Sequence, residues 1–193
     1  VSAMGDMTDE LMGMAQQISR TPDLRELDVL ISTGELKSGA LMAIALRSLG
    51  FDAISLSGSQ AGIHTDTGFG KARIASLDPK RVLGELAAGR IVVVAGFQGV
   101  TKEMDTTTLG RGASDLTAVA LAASLGASQC EIYTDVDGIY TADPKLVSQA
   151  RRLGEVGFEE MLEMASYGAK MNPRAIEFGM VYDVPILVAS STG

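Results

Sequence analysis

Histidine and cysteine are almost missing: the 193 residues hold one of each, His64 and Cys130. A single cysteine excludes an internal disulfide framework and a cysteine-rich zinc site, and it fits a reducing compartment. A single histidine excludes multi-histidine metal chemistry, and a Ser-His-Asp triad would have to be built around His64 alone. No uninterrupted apolar run approaches the roughly 20 residues of a membrane span. No basic, apolar, small-residue leader opens the chain. Positive charge is scarce, with 16 lysines and arginines against 24 acids and a net charge of −8. That balance argues against a protein that coats nucleic acid. A phosphate-bearing small molecule stays open, provided local positive charge, helix N-termini or a metal ion receives it.

What is present is the composition of a folded domain: 46% hydrophobic and 21% charged residues, with a mean hydropathy of +0.20. At 20.1 kDa the chain suits one domain of ordinary size with a real core. Val1-Ser2-Ala3-Met4-Gly5 reads as a strand end entering a loop, which predicts an element upstream of Val1. Residues 6–19 read as a helix with Asp6 or Thr8 as its cap and Leu11, Met14, Ala15 and Ile18 on one face. Residues 27–31 fit strand or helix. Residues 38–49 fit a helix stopped by Gly50, and 51–56 a strand. A glycine-rich loop carrying His64 follows, then a short strand at 72–75 and a helix from Asp78-Pro79 to about residue 88. Residues 91–95 are the best candidate for a buried strand. Further helices are expected at 113–125, 156–166 and 173–181, with strands at 130–134 and 184–188 and Cys130 in the core. The alternation predicts a three-layer α/β/α sandwich around a mostly parallel sheet.

In such sheets ligands bind where strand ends enter loops and helices. Gly110-Arg111-Gly112-Ala113-Ser114-Asp115 stands directly before a helix. Its small residues let the backbone approach an anion, the helix N-terminus supplies N–H groups, and Arg111 adds a two-pronged donor. Asp115 can orient a cation or a lysine, and the plainer alternative is a loop with Ser114 as the helix cap. Ser32-Thr33-Gly34-Glu35 reads as a small-polar turn whose carboxylate suits a substrate ammonium group or caps the following helix. Residues 134–145 join a strand end, Asp135, Tyr140, Asp143 and Lys145. An adenine can stack near Tyr140, and Lys145 or Lys170 can meet phosphate; a solvated turn is the alternative. Neither a Walker A pattern nor a dinucleotide glycine motif is present.

In order and content these segments resemble the aspartate kinases of the amino-acid kinase family. Residues 2–11, Ser32-Thr33-Gly34-Glu35, Gly58-Ser59-Gln60-Ala61-Gly62, Gly96-Phe97-Gln98-Gly99, the Gly110–Asp115 motif and residues 134–144 carry the likeness. It runs over essentially the whole chain and implies the carbamate kinase-like fold. It also implies transfer of the ATP γ-phosphoryl group to the side-chain carboxylate of L-aspartate. Glu35 would then bind the substrate ammonium group and Arg111 a carboxylate, with Thr8, Phe97 and Ser114 lining the pocket. Asp115 would organise charge around the transfer. Ser2, Thr134, Asp135, Tyr140, Asp143, Lys145 and Lys170 would lie on the nucleotide side. The implied cofactors are ATP and Mg2+, with no protein-held metal cluster. The implied setting is cytoplasmic, within a homo-oligomer, without nucleic acid or membrane.

Against the family pattern, the chain reads as a catalytic domain over 1–193 without the opening Lys-x-Gly-Gly strand and the C-terminal ACT domains. Ala113 replaces a glycine, and Lys170-Met171-Asn172-Pro173-Arg174-Ala175 is a shortened form of its family counterpart. Other kinases of the superfamily, acting on glutamate, acetylglutamate, carbamate or a nucleoside monophosphate, are the alternative. A non-catalytic nucleotide-binding or assembly domain is another.

Overall fold

The computed structural model describes residues 1–143, 146–167 and 171–191. They form two compact units, 1–117 and 118–193, and the boundary falls inside a helix.

In the first unit, α1 (Met7–Ile18) is followed by the 25-residue α2 (Leu24–Ser48). Residues 27–31 are therefore helical, and the expected turn at 32–35 is the middle of the same helix. Asp23 caps α2 by accepting the Glu26 N–H at 3.2 Å, and Arg47 lies in the last turn, where a cation suits the helix dipole. By length and composition α2 is apolar enough to cross a membrane. However, it buries Asp28 and Glu35 and packs on strands of its own unit, as a core helix does. Neither Asp6 nor Thr8 caps α1 with its side chain. The expected apolar face of α1 is only partly covered: Ala15 is buried, while Met14 and Ile18 are exposed.

Two sheets belong to this unit. β1 (Ala53–Leu56) and β4 (Ile91–Val94) pair in parallel, from Ala53 opposite Ile91 to Leu56 opposite Val94. Between them come β2 (Ile63–Thr65), β3 (Ile74–Leu77) and α3 (Lys80–Ala87). β5 (Gln98–Val100) and β6 (Thr106–Thr108) complete a four-stranded sheet of order β3-β2-β5-β6. Its β2–β3 and β5–β6 pairs are antiparallel. Strict strand–helix alternation therefore fails between residues 57 and 109. β2, β5 and β6 have three residues each, too few to show a period, and His64 lies on β2 rather than in a loop.

Asp28 ties α2 to the four-stranded sheet. Fully buried, its carboxylate accepts the Gly70 N–H at 2.9 Å, the Thr108 N–H at 2.8 Å and the Thr108 hydroxyl at 2.6 Å. Gln98 adds a bond from Nε2 to the Ser32 carbonyl at 2.9 Å. Residues 1–3 are laid along β4: the Val1 nitrogen donates to the Val94 carbonyl at 2.8 Å, and Gly96 N–H donates to the Val1 carbonyl at 2.9 Å. Ala95 N–H bonds Leu56 of β1 instead. Successive strand amides point to opposite edges, so Val1 occupies the edge of β4 away from β1.

α4 (Ser114–Leu125) spans the boundary. In the second unit β7 (Cys130–Thr134) pairs in parallel with β8 (Ile186–Ser190), ending at Thr134 opposite Ser190. α5 (Phe158–Ser166) and α6 (Pro173–Tyr182) pack on each other. Asn172 caps α6 by accepting the Arg174 N–H at 3.0 Å, and Pro173 takes the first helical position. Met161, Met171 and Ile176 form a core cluster, joined by Ile139, Val156, Phe158, Leu162, Ala165, Ile186 and Val188. Cys130 is buried, as the sequence predicts.

Candidate active site

The expected site residues divide between the units. Ser2, Thr8, Glu35, Phe97, Arg111, Ser114 and Asp115 belong to the first. Thr134, Asp135, Tyr140 and Asp143 belong to the second. Lys145 and Lys170 lie outside the described residues.

In the first unit the residue 1–3 segment is the organiser. Ala3 N–H donates to Glu35 Oε1 at 3.2 Å, so the carboxylate in the middle of α2 faces this segment. Gly34 makes the approach possible: a Cβ there would stand 3.0 Å from the Ala3 Cβ. A mid-helix glycine costs about 0.5–1 kcal/mol relative to alanine, and here it admits the neighbouring chain. Glu35 is only 3% exposed, and its Oε2 has no hydrogen-bond partner among the described residues. Burial holds this carboxyl above the ordinary glutamate range, with its own and the Ala3 backbone N–H acting in the opposite direction.

The end of β4 meets the same segment. A Cβ on Gly96 would lie 3.1 Å from Ser114 and 3.1 Å from the Val1 carbonyl, so Ser114, Gly96 and Val1 are in contact. Phe97 follows, buried and at φ 66°, a left-handed conformation that a bulky side chain rarely adopts. Thr117 of α4 holds it by accepting the Phe97 N–H at 3.1 Å, and the Phe97 carbonyl accepts Leu109 N–H at 2.8 Å. Glu35 and Ser114 thus both border residues 1–3, with Phe97 following Gly96 in the chain and Ser2 exposed between its bonded neighbours.

Gly110 and Gly112 adopt φ +91° and +69°, which explains both glycines of the Gly-Arg-Gly turn. Ala113 has no such requirement; it is completely buried and does not disturb the turn. The turn presents Arg111 at the surface, where its NH2 bonds Asp9 Oδ1 at 2.7 Å and contacts the Met12 sulfur at 3.5 Å. Arg111 therefore stands beside α1, bonded to the residue that follows half-buried Thr8, with a carboxylate already on its guanidinium. Asp115 is half-buried in the first turn of α4.

In the second unit Thr134 and Asp135 stand at the C-terminal end of β7, beside the end of β8, where Ser191 N–H bonds the Thr134 carbonyl at 2.8 Å. Tyr140 is half-buried, and its hydroxyl donates to the Asp137 carboxylate at 2.9 Å, which holds the phenol above its usual pKa. Its backbone pairs with Arg152, whose guanidinium donates to the Asp137 carbonyl at 3.1 Å. Asp143 is exposed. Among the described residues no group of three or more His, Cys, Asp or Glu side chains is placed to hold a metal ion.

Three groups went unnoticed in the sequence: Asp9, Asp28 and Ser38. Asp28 and Ser38 belong to the same helix as Glu35, and reading 24–48 as one helix is the signal that would have found them.

The amino acid kinase family matches residues 1–190, and the chain belongs to it. The parallel strands, the loops at their C-terminal ends and the glycine-flanked entry to α4 are its fold. Within the family the chain is 54% identical over 192 residues to the aspartokinase of Geobacillus stearothermophilus, covering 99% of this chain and 47% of that one. The solved aspartate kinase from Synechocystis superposes with a TM-score of 0.86 at 47% identity, covering 100% of this chain and 32% of that one. Aspartokinase III of E. coli, solved in complex with aspartate and ADP, gives 0.85 at 37% identity, with coverages of 95% and 42%. The chain spans about half the length of the curated relatives it matches.

Proposed function

We propose that this chain is the catalytic domain of an aspartate kinase, transferring the ATP γ-phosphoryl group to the side-chain carboxylate of L-aspartate to give 4-phospho-L-aspartate. The observation that carries this reading is the buried Glu35 carboxylate, with one oxygen unpartnered, against the residue 1–3 segment that Ser114 also approaches. A buried acceptor of that kind calls for a cationic ligand group, and a substrate ammonium supplies it. Its identity as aspartate rests on the whole-length similarity to aspartokinases.

The chemistry asks little of a base. The acceptor is a carboxylate and already a nucleophile at neutral pH, so catalysis consists of alignment and of offsetting repulsion between two anions. Glu35 fixes the ammonium end, Arg111 a carboxylate, and Thr8, Phe97 and Ser114 the shape of the pocket. The first turn of α4 turns its N–H groups toward the anions, and Asp115 orders the charges there. Thr134, Asp135, Tyr140 and Asp143 hold the nucleotide, together with Lys145 and Lys170. Mg2+ bound with the nucleotide would neutralise charge on its phosphates. The setting is cytoplasmic and the full-length protein a homo-oligomer.

The test is trapping of an acyl phosphate with hydroxylamine. The full-length protein should form it from Mg-ATP and L-aspartate but not from L-glutamate, N-acetylglutamate or carbamate. Transfer to one of those, or to a nucleoside monophosphate, makes it another kinase of the superfamily. Binding of Mg-ATP with no transfer to any acceptor makes it a binding domain.

Arg111→Ala should weaken L-aspartate by about 1.5–3 kcal/mol, through loss of charge-assisted bonds. Its cost to folding should stay below about 1 kcal/mol, because the Asp9 pair is exposed on both sides. Titration calorimetry and thermal melts check the two halves separately, and unchanged aspartate affinity removes Arg111 from the site.

A further inference from the structure

Besides Glu35 Oε2, one other buried side-chain oxygen or nitrogen lacks a partner among the described residues: Ser38 Oγ. Ser38 is 6% exposed and follows Glu35 by three residues in α2, so both side chains occupy one face of the helix. That face is the one laid against residues 1–3. Glu35 bonds the Ala3 nitrogen, while a Cβ on Gly39 would contact Val1 at 3.8 Å and Val93 at 4.0 Å. A helical serine can usually donate to the carbonyl one turn back, and Ser32 shows the local alternative by donating to Val29 at 2.9 Å. Ser38 does neither. A buried hydroxyl left unbonded destabilises a fold, so two such oxygens three residues apart on one helix face point to a ligand rather than to packing.

We infer that Ser38 is a substrate-positioning residue, whose hydroxyl receives a second N–H of the substrate ammonium group held by Glu35. An ammonium has three donors and no acceptor, and away from water each donor needs an oxygen. Glu35 Oε1 is already engaged by Ala3, so Oε2 satisfies one donor and Ser38 Oγ a second. The pair selects for a free primary ammonium. The inference rests on the ammonium reading of Glu35, and the experiment separates the two.

Ser38→Ala and Glu35→Gln are made in the full-length protein. Affinities are measured for L-aspartate and for succinate, the same dicarboxylate without the ammonium group, alongside ligand-free melting temperatures. Ser38→Ala should weaken L-aspartate about three- to tenfold, the size of one hydrogen bond. It should leave succinate inhibition unchanged and leave the melting temperature level or higher, because an unbonded buried hydroxyl is removed. Equal weakening of both ligands, or a fall in melting temperature, makes Ser38 a structural residue and overturns the inference. If Glu35→Gln selectively loses L-aspartate while Ser38→Ala binds it normally, the assignment of Ser38 alone fails. If Glu35→Gln affects both ligands alike, the ammonium reading fails as well.

Discussion

Glu35→Gln should raise the KM for L-aspartate roughly 30- to 700-fold, equivalent to about 2–4 kcal/mol. The amide keeps an oxygen for the Ala3 N–H, so residues 1–3 stay in place. What disappears is the negative charge, in a buried position where water cannot replace it. The pH dependence gives a second readout. Burial raises the Glu35 pKa in the folded, ligand-free protein. Between the ordinary glutamate pKa and that raised value the folded state keeps a proton that the unfolded chain has released. Stability therefore falls as pH rises through this window, and the Glu35→Gln variant should not show that slope. A substrate ammonium prefers the ionised carboxylate, so binding in the same window releases a proton and aspartate affinity climbs with pH. Calorimetry in buffers of different ionisation enthalpy measures that proton. A variant that still releases it, or a KM within threefold of the parent, would contradict the role given to Glu35.

Asp28→Ala should lower folding stability by about 3–5 kcal/mol, a drop in melting temperature on the order of 6–20 °C for a chain of this size. The carboxylate satisfies two backbone N–H groups and one hydroxyl inside the fold. Alanine leaves those donors unpaired with no solvent to take them. Since Asp28 lies two helical turns before Glu35 on α2, the loss should also loosen the acceptor site. Asp28→Asn retains an acceptor and the volume, and should fall between the two. Denaturant titration of both variants decides the matter: a loss under 1 kcal/mol for alanine would show that α2 is held by apolar packing alone.

Much of the candidate site was legible because its proposed residues sit in short local runs. Gly110-Arg111-Gly112 announces a turn that only glycines can make, and the structure gives both of them positive φ. Glu35, Phe97, Ser114 and the 134–143 run were all picked out from their motifs, and Thr134 falls at the end of β7 as expected. What failed to show locally was the context of those motifs. Ser32-Thr33-Gly34-Glu35 looks like a turn because serine, threonine and glycine are weak helix formers. It is helical because Ala3 packs on Gly34, Gln98 reaches Ser32 and Asp28 is bonded to Thr108.

The amino-acid sequence by itself determined the mixed α/β character, the α4, β7 and α6 elements, and the residue types available for charge at the site. Those follow from periodicity, glycine and proline placement and helix caps, which act within a few residues. The tertiary structure decided that residues 24–48 are one helix, that strands of three or four residues build a separate four-stranded sheet, and that Asp28, Glu35 and Ser38 are buried. Burial and pairing there depend on partners about 30 to 80 positions away, so no local window contains the information. The same long-range packing raises the Glu35 pKa, since the burial that disfavours its charge exists only in the folded chain.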